Sequence, residues 1–154
     1  MIVVSDTSSV SALLRIGQGE LLQKLYGEVL IPEAVQRELL IYFPALPVFL
    51  SCRPVKNSAA VRRFCMELDL GEAEALVLAR EAGADFLLMD ESLGREVAVR
   101  EGIALIGLLG VLVQAKRAGL LDSVSGLIHR IETEANFRVS VALRESILKQ
   151  ANEL

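Results

Sequence analysis

The chain has no tryptophan, two tyrosines, five phenylalanines, two cysteines and a single histidine. Each scarcity excludes something. With so few aromatic rings, the interior has to be built from Leu, Val, Ile and Ala. With His129 alone, a site of several imidazoles is excluded, and any Ser-His-Asp relay would have to run through that one residue. No G-x-S-x-G or H-E-x-x-H surrounds it, so it reads as a helix-surface residue. Cys52 and Cys65 lack C-x-x-C spacing and a neighbouring histidine; they read as two buried, reduced thiols. Four prolines and 11 glycines exclude collagen-like and linker-like sequence. Long apolar runs are also missing. The most apolar stretch, 103–115, is broken by Gly107, Gly110 and Gln114 and falls short of the ~20 residues of a spanning helix. The opening Met1-Ile2-Val3-Val4-Ser5-Asp6 has no basic segment and is unlike a signal peptide. The expectation is a cytoplasmic protein with no membrane association.

What is present points to a folded domain. Hydrophobic residues make up 53% of the chain and charged residues 23%, which excludes disorder. A length of 154 residues suits one domain, here 1–154, that needs no disulfide or structural metal. The net charge of −4 supplies no basic field for nucleic acid. The cations are nevertheless mostly arginine, which suits bidentate phosphate contact, although a biased genome composition explains the same skew. Short apolar runs at 2–5, 29–31, 86–89 and 103–106, with a further edge strand at 48–52, alternate with helical patterns. The last two helices, within 123–151, form a C-terminal extension of the same domain. This order predicts an α/β fold: a three-layer α/β/α arrangement around a central parallel sheet of four or five short strands. In such folds chemistry sits beyond the carboxyl ends of the strands.

Two of the five aspartates occupy that position. Asp6 follows the first strand and Asp90 follows the strand at 86–89. Helix capping accounts for an Asp at either place, but Thr7, Ser8 and Ser92 would cap equally well. Glu38 falls in the stripe Val35, Glu38, Leu39, Tyr42, where an unpaired carboxylate is costly unless it pairs, for instance with Arg37. In Gly71-Glu72-Ala73-Glu74-Ala75, the helical wheel turns Glu72 toward Ala75, Leu76 and Ala79 and turns Glu74 toward solvent. The helix dipole alone would also favour an acid at Glu72. Four converging acids need a cation to relieve their repulsion. All-oxygen ligation suits Mg²⁺ or Mn²⁺ and phosphoryl transfer.

The segments Val3-Val4-Ser5-Asp6-Thr7-Ser8, Ile31-Pro32-Glu33-Ala34-Val35-Gln36-Arg37-Glu38-Leu39, Leu70-Gly71-Glu72-Ala73-Glu74-Ala75-Leu76 and Leu87-Leu88-Met89-Asp90-Glu91 together resemble the PIN domain, the metal-dependent nuclease fold that includes VapC-type toxins. The resemblance spans nearly the whole chain, and the nearest variety is the PIN-like branch with a G-E-A-E-A helix. It implies catalytic acids at Asp6, Glu38, Glu72 and Asp90, with Asp6, Glu72 and Asp90 holding Mg²⁺ or Mn²⁺. It implies auxiliary roles for Thr7, Ser8 and Glu91, and RNA-phosphate contacts from Arg62, Arg63, Arg95, Lys116 and Arg117. Two departures stand out: a Glu at position 72 where the family usually has Asp, and Leu88-Met89-Asp90 where it often has Thr-x-Asp. The function implied is an endoribonuclease that hydrolyses RNA phosphodiesters, as the toxin of a toxin–antitoxin pair, with a small antitoxin as partner. The alternative is a weak or inactive PIN-like module that binds RNA or protein. Aspartyl phosphotransfer fits poorly, because Ser8 stands where such phosphatases need a second Asp. Leu13, Leu14, Leu21, Leu22 and Leu25 are more leucines than one sheet face covers, and a homodimer through that patch is expected, with packing on the C-terminal helices as the alternative.

Overall fold

A computed structural model describes residues 1–154. The elements, in chain order, are β1 (Val3–Ser5), α1 (Thr7–Arg15), α2 (Glu20–Tyr26), β2 (Val29–Pro32), α3 (Glu33–Tyr42), β3 (Leu50–Arg53) and α4 (Ser58–Phe64). They continue with α5 (Leu70–Ala82), β4 (Phe86–Leu88), α6 (Ser92–Arg100), β5 (Leu105–Ile106), α7 (Leu108–Arg117), α8 (Val124–Glu134) and α9 (Val141–Gln150). All strand pairings are parallel, in the order β3-β2-β1-β4-β5. The short β-branched and leucine runs are buried on both faces, as a helix-covered parallel sheet requires.

Side chains alternate along each strand and so feed two separate cores. Val3, Val29, Ile31 and Leu88 join the larger core, under α1, α2, α7, α8 and α9. Val4, Leu30, Leu87 and the adjoining Met89 join the smaller one, under α4, α5 and α6. This is the expected three-layer α/β/α, PIN-like architecture. The chain moves outward from β1 through β2 to β3, then returns to lay β4 on the other side of β1. The sheet therefore has its topological switch point between β1 and β4, and a crevice opens there beyond the strand ends.

Several local expectations are corrected. The edge strand lies at 50–53 rather than 48–52, because Pro47 and the fully exposed Val48 belong to the turn that leads into it. Cys52 is half-buried and Cys65 is exposed, not two buried thiols; both are free. Leu13, Leu21 and Leu22 are buried and Leu14 and Leu25 half-buried, so the early-helix leucines form no exposed patch. They are covered because α7, α8 and α9 lie on the same sheet face as α1 and α2. No helix is long and apolar enough to cross a membrane.

Candidate functional site

Parallel pairing of β1 with β4 matches Ser5 to Leu88, so the residues that follow both strands emerge together. The backbone N–H of Asp6 extends the ladder by donating to Leu88 O at 3.1 Å. Asp6 is 2% exposed and caps α1, with Oδ1 accepting from Ser9 N at 3.2 Å and Oδ2 accepting from Ser8 Oγ at 3.3 Å. Ser9 is fully buried, and its hydroxyl donates to Asp90 Oδ2 at 2.7 Å. Asp90 also accepts from Leu108 N, the first residue of α7, at 3.1 Å to each oxygen. Burial pushes the Asp6 carboxyl up to about 7; hydrogen bonds from Ser9 and Ser8 pull it back, and the charge of Asp90 pushes it further up. Burial likewise raises Asp90, against hydrogen bonds from Ser9 and Leu108 and the nearby Arg95.

The two glutamates arrive from the helices alongside. Glu38, half-buried on α3, accepts a hydrogen bond from Thr7 Oγ1. Its carboxylate also lies against Gly71 at the start of α5. Glu72 closes a capping box with Asp69: Glu72 N donates to Asp69 Oδ1 at 2.8 Å, and Asp69 N donates to Glu72 Oε1 at 3.1 Å. Glu72 thus serves the helix end while half-buried. Burial raises its carboxyl, and the charges of Asp69, Glu91 and Glu38 add to the rise. Glu91, exposed, caps α6 by accepting from Gly94 N at 2.7 Å. Glu74 is not solvated as the helical wheel predicts. It is half-buried and accepts from Ala34 N at 3.0 Å, supplying the cap that Pro32 cannot give α3.

The structure thus brings Asp6 and Asp90 together through Ser9, Glu38 to Thr7, and Glu72 within electrostatic reach of Glu38 and Glu91. No three Asp, Glu, Cys or His side chains close around a single ion; the acids approach piecewise rather than as a cage. Ser9 escaped the sequence reading. Its only available signal was a serine in the apolar stripe Ser9, Leu13, Ile16 of α1.

The basic residues divide. Arg95 belongs to the site, since it donates from Nη1 to Met89 O at 2.8 Å and lowers Asp90. It also lines a surface groove of about 730 Å3 together with Ser92, Leu93, Val97 and Arg100. Arg62 and Arg63 are exposed on α4, with the Arg63 guanidinium 5.4 Å from the Phe64 ring centre. Lys116 and Arg117 lie at the far end of α7 from Asp90. There Lys116 pairs with Glu153 at 2.8 Å, and Arg117 donates to Gln150 O at 3.1 Å. Their charges are thereby committed to holding the C-terminal segment.

The all-parallel sheet carries a buried and a half-buried aspartate at its switch point, the place where folds of this class bind ligands. The PIN domain family matches residues 2–153, and the chain belongs to that family. PIN domains are in general nucleases and typically use divalent metal ions, so the fold is of nuclease type. No curated protein matches the chain.

Proposed function

We propose that the chain is a cytoplasmic, metal-dependent endoribonuclease, organised as one domain and acting as the toxin of a toxin–antitoxin pair. The observation that carries this reading is the Asp6–Ser9–Asp90 chain of hydrogen bonds across the switch point. The donor set fits a hard divalent cation. It offers carboxylates and hydroxyls with neither imidazole nor thiolate, and burial has already raised three of its acids so that a nearby positive charge would be welcome. Asp6, Asp90 and Glu72 would hold Mg²⁺ or Mn²⁺. A bound ion of this kind acidifies water and offsets charge on the phosphate oxygens. Glu38, fixed by Thr7, orients the water that attacks phosphorus, and Arg95 sits where a backbone phosphate enters from the groove.

Cleavage of single-stranded RNA is expected to require Mg²⁺ or Mn²⁺, to stop with a chelator and to be lost in Asp6→Asn. Wild-type turnover by that variant, or cleavage that survives the chelator, removes the reading. One observation favours a second reading, a non-cleaving RNA-binding module: every oxygen of Asp6 and Asp90 already has a hydrogen-bond donor. RNA binding with no uptake of Mn²⁺ would select it. A homodimer and a small antitoxin partner complete the proposal. With the early-helix leucines covered, a second copy would sit on Leu40, Ile41, Tyr42 and Val48, which are exposed at the end of α3 and in the turn beyond it.

A further inference from the structure

Among the 11 glycines of this chain, two sets contrast. Gly17, Gly27, Gly83, Gly102 and Gly119 have positive φ, and a β-carbon on any of them would touch nothing; they are glycines for the sake of the backbone. Gly71 and Gly107 are different. Gly71 lies in the regular first turn of α5, and Gly107 precedes α7 at φ −93° and ψ 168°, so neither backbone conformation calls for glycine. Both, however, face a carboxylate. A β-carbon on Gly71 would lie 2.8 Å from Glu38 Oε1 and 3.1 Å from Oε2. A β-carbon on Gly107 would lie 2.9 Å from Asp90 Oδ1 and 3.3 Å from Arg95 Nη1. Any side chain there must displace the acid, because the obstructing atoms are carboxylate oxygens at the tips of side chains, which turn away before the helix backbone moves.

We infer that Gly71 and Gly107 are positioning residues. Their bare α-carbons are the seats on which the carboxylates of Glu38 and Asp90 rest, each at the first turn of a helix, in the orientation the proposed cation site uses. The inference rests on the nuclease reading and adds two residues to it. It also explains why a poor helix former stands inside the G-E-A-E-A segment, where alanine would otherwise be preferred.

The test is a pair of double-mutant cycles read by calorimetric Mn²⁺ binding and by thermal unfolding. Gly71→Ala and Gly107→Ala are each expected to weaken Mn²⁺ binding about tenfold, the range seen when a residue supporting a ligand is lost. Gly71→Ala should have no further effect in a Glu38→Ala background, where the added methyl occupies vacated space, and Gly107→Ala none beyond Asp90→Ala. Gly126→Ala, whose β-carbon would meet Ser123 at 3.4 Å on a distant helix, should leave affinity unchanged. Melting temperature covers the case of poor folding, since a loss caused by the clash disappears when the carboxylate is removed. Unaltered affinity in both alanine variants, or losses of equal size with and without the carboxylate, overturns the inference while the nuclease reading stands. Wild-type protein that neither binds Mn²⁺ nor cleaves RNA removes the nuclease reading instead, and these seats with it.

Discussion

At the scale of the residue, the site is a compromise between burial and charge, and Asp6 shows it most directly. Its folded carboxyl titrates near 7, against 3.8 for a free one, because burial outweighs the hydrogen bonds from Ser9 and Ser8. The folded state therefore holds a proton that the unfolded chain has released. Between pH 4 and 7 the ion-free protein loses stability as pH rises; below that window the effect is absent, and above it the loss is complete. Asp6→Asn should flatten this slope to the share owed to Asp90 and Glu72, whose carboxyls burial also raises, and gain on the order of a few kcal/mol at pH 8. Urea unfolding at pH 5 and pH 8 measures it, and a slope as steep in the variant as in the wild type contradicts the assignment. The acids themselves were legible in sequence because each follows a strand, a place where chance seldom puts two of five aspartates. Ser9 was not, because its hydroxyl meets a partner 81 residues away and only the β1–β4 pairing brings the two together. The seats at Gly71 and Gly107 were hidden for the same reason.

At the scale of the element, the G-E-A-E-A helix divides its two glutamates between different tasks. Glu72→Gln keeps a capping acceptor, so stability should change little, while Mn²⁺ affinity falls at least tenfold. Glu74→Ala should do the reverse: it uncaps α3 at a cost of about 1 kcal/mol and leaves ion binding alone. Calorimetry and denaturant unfolding on the two variants separate these effects, and the same pattern in both would refute the division. Helical periodicity turned Glu72 inward and Glu74 to solvent, whereas both are half-buried, because it could not see that α3 begins beside the second residue. A wheel describes one helix in isolation, whereas Glu74 is held by the neighbour it caps. Strand and helix order was legible throughout because the apolar runs are short and bounded by Gly, Pro or a capping residue. Bounds slipped at two strands: the edge strand lies at 50–53, where three prolines cluster, and the run at 103–106 forms a ladder only at 105–106.

At the scale of the molecule, the question is which apolar surface remains. Leu22→Ala should cost 2–5 kcal/mol as an ordinary core truncation, as expected of a fully buried leucine. Ile41→Asp should leave folding intact and turn a dimer into a 16.7 kDa monomer in sedimentation. A wild-type chain that is monomeric at micromolar concentration rejects the dimer. The leucine count in the early helices was legible, and of its two readings the structure shows the alternative, cover by α7, α8 and α9, which come later in the chain and return to the same face. The borders of the sheet carry a consequence of their own. One rim is β5, two residues long; the other is β3, whose last residue Arg53 is exposed and paired with Glu28 and is followed at once by Pro54. Neither offers the long, flat, unpaired ribbon on which a foreign chain could crystallise into a growing fibre. Association by adding a strand to the sheet is thereby disfavoured, and concentrated solutions should resist ordered polymerisation even with more than half the residues apolar.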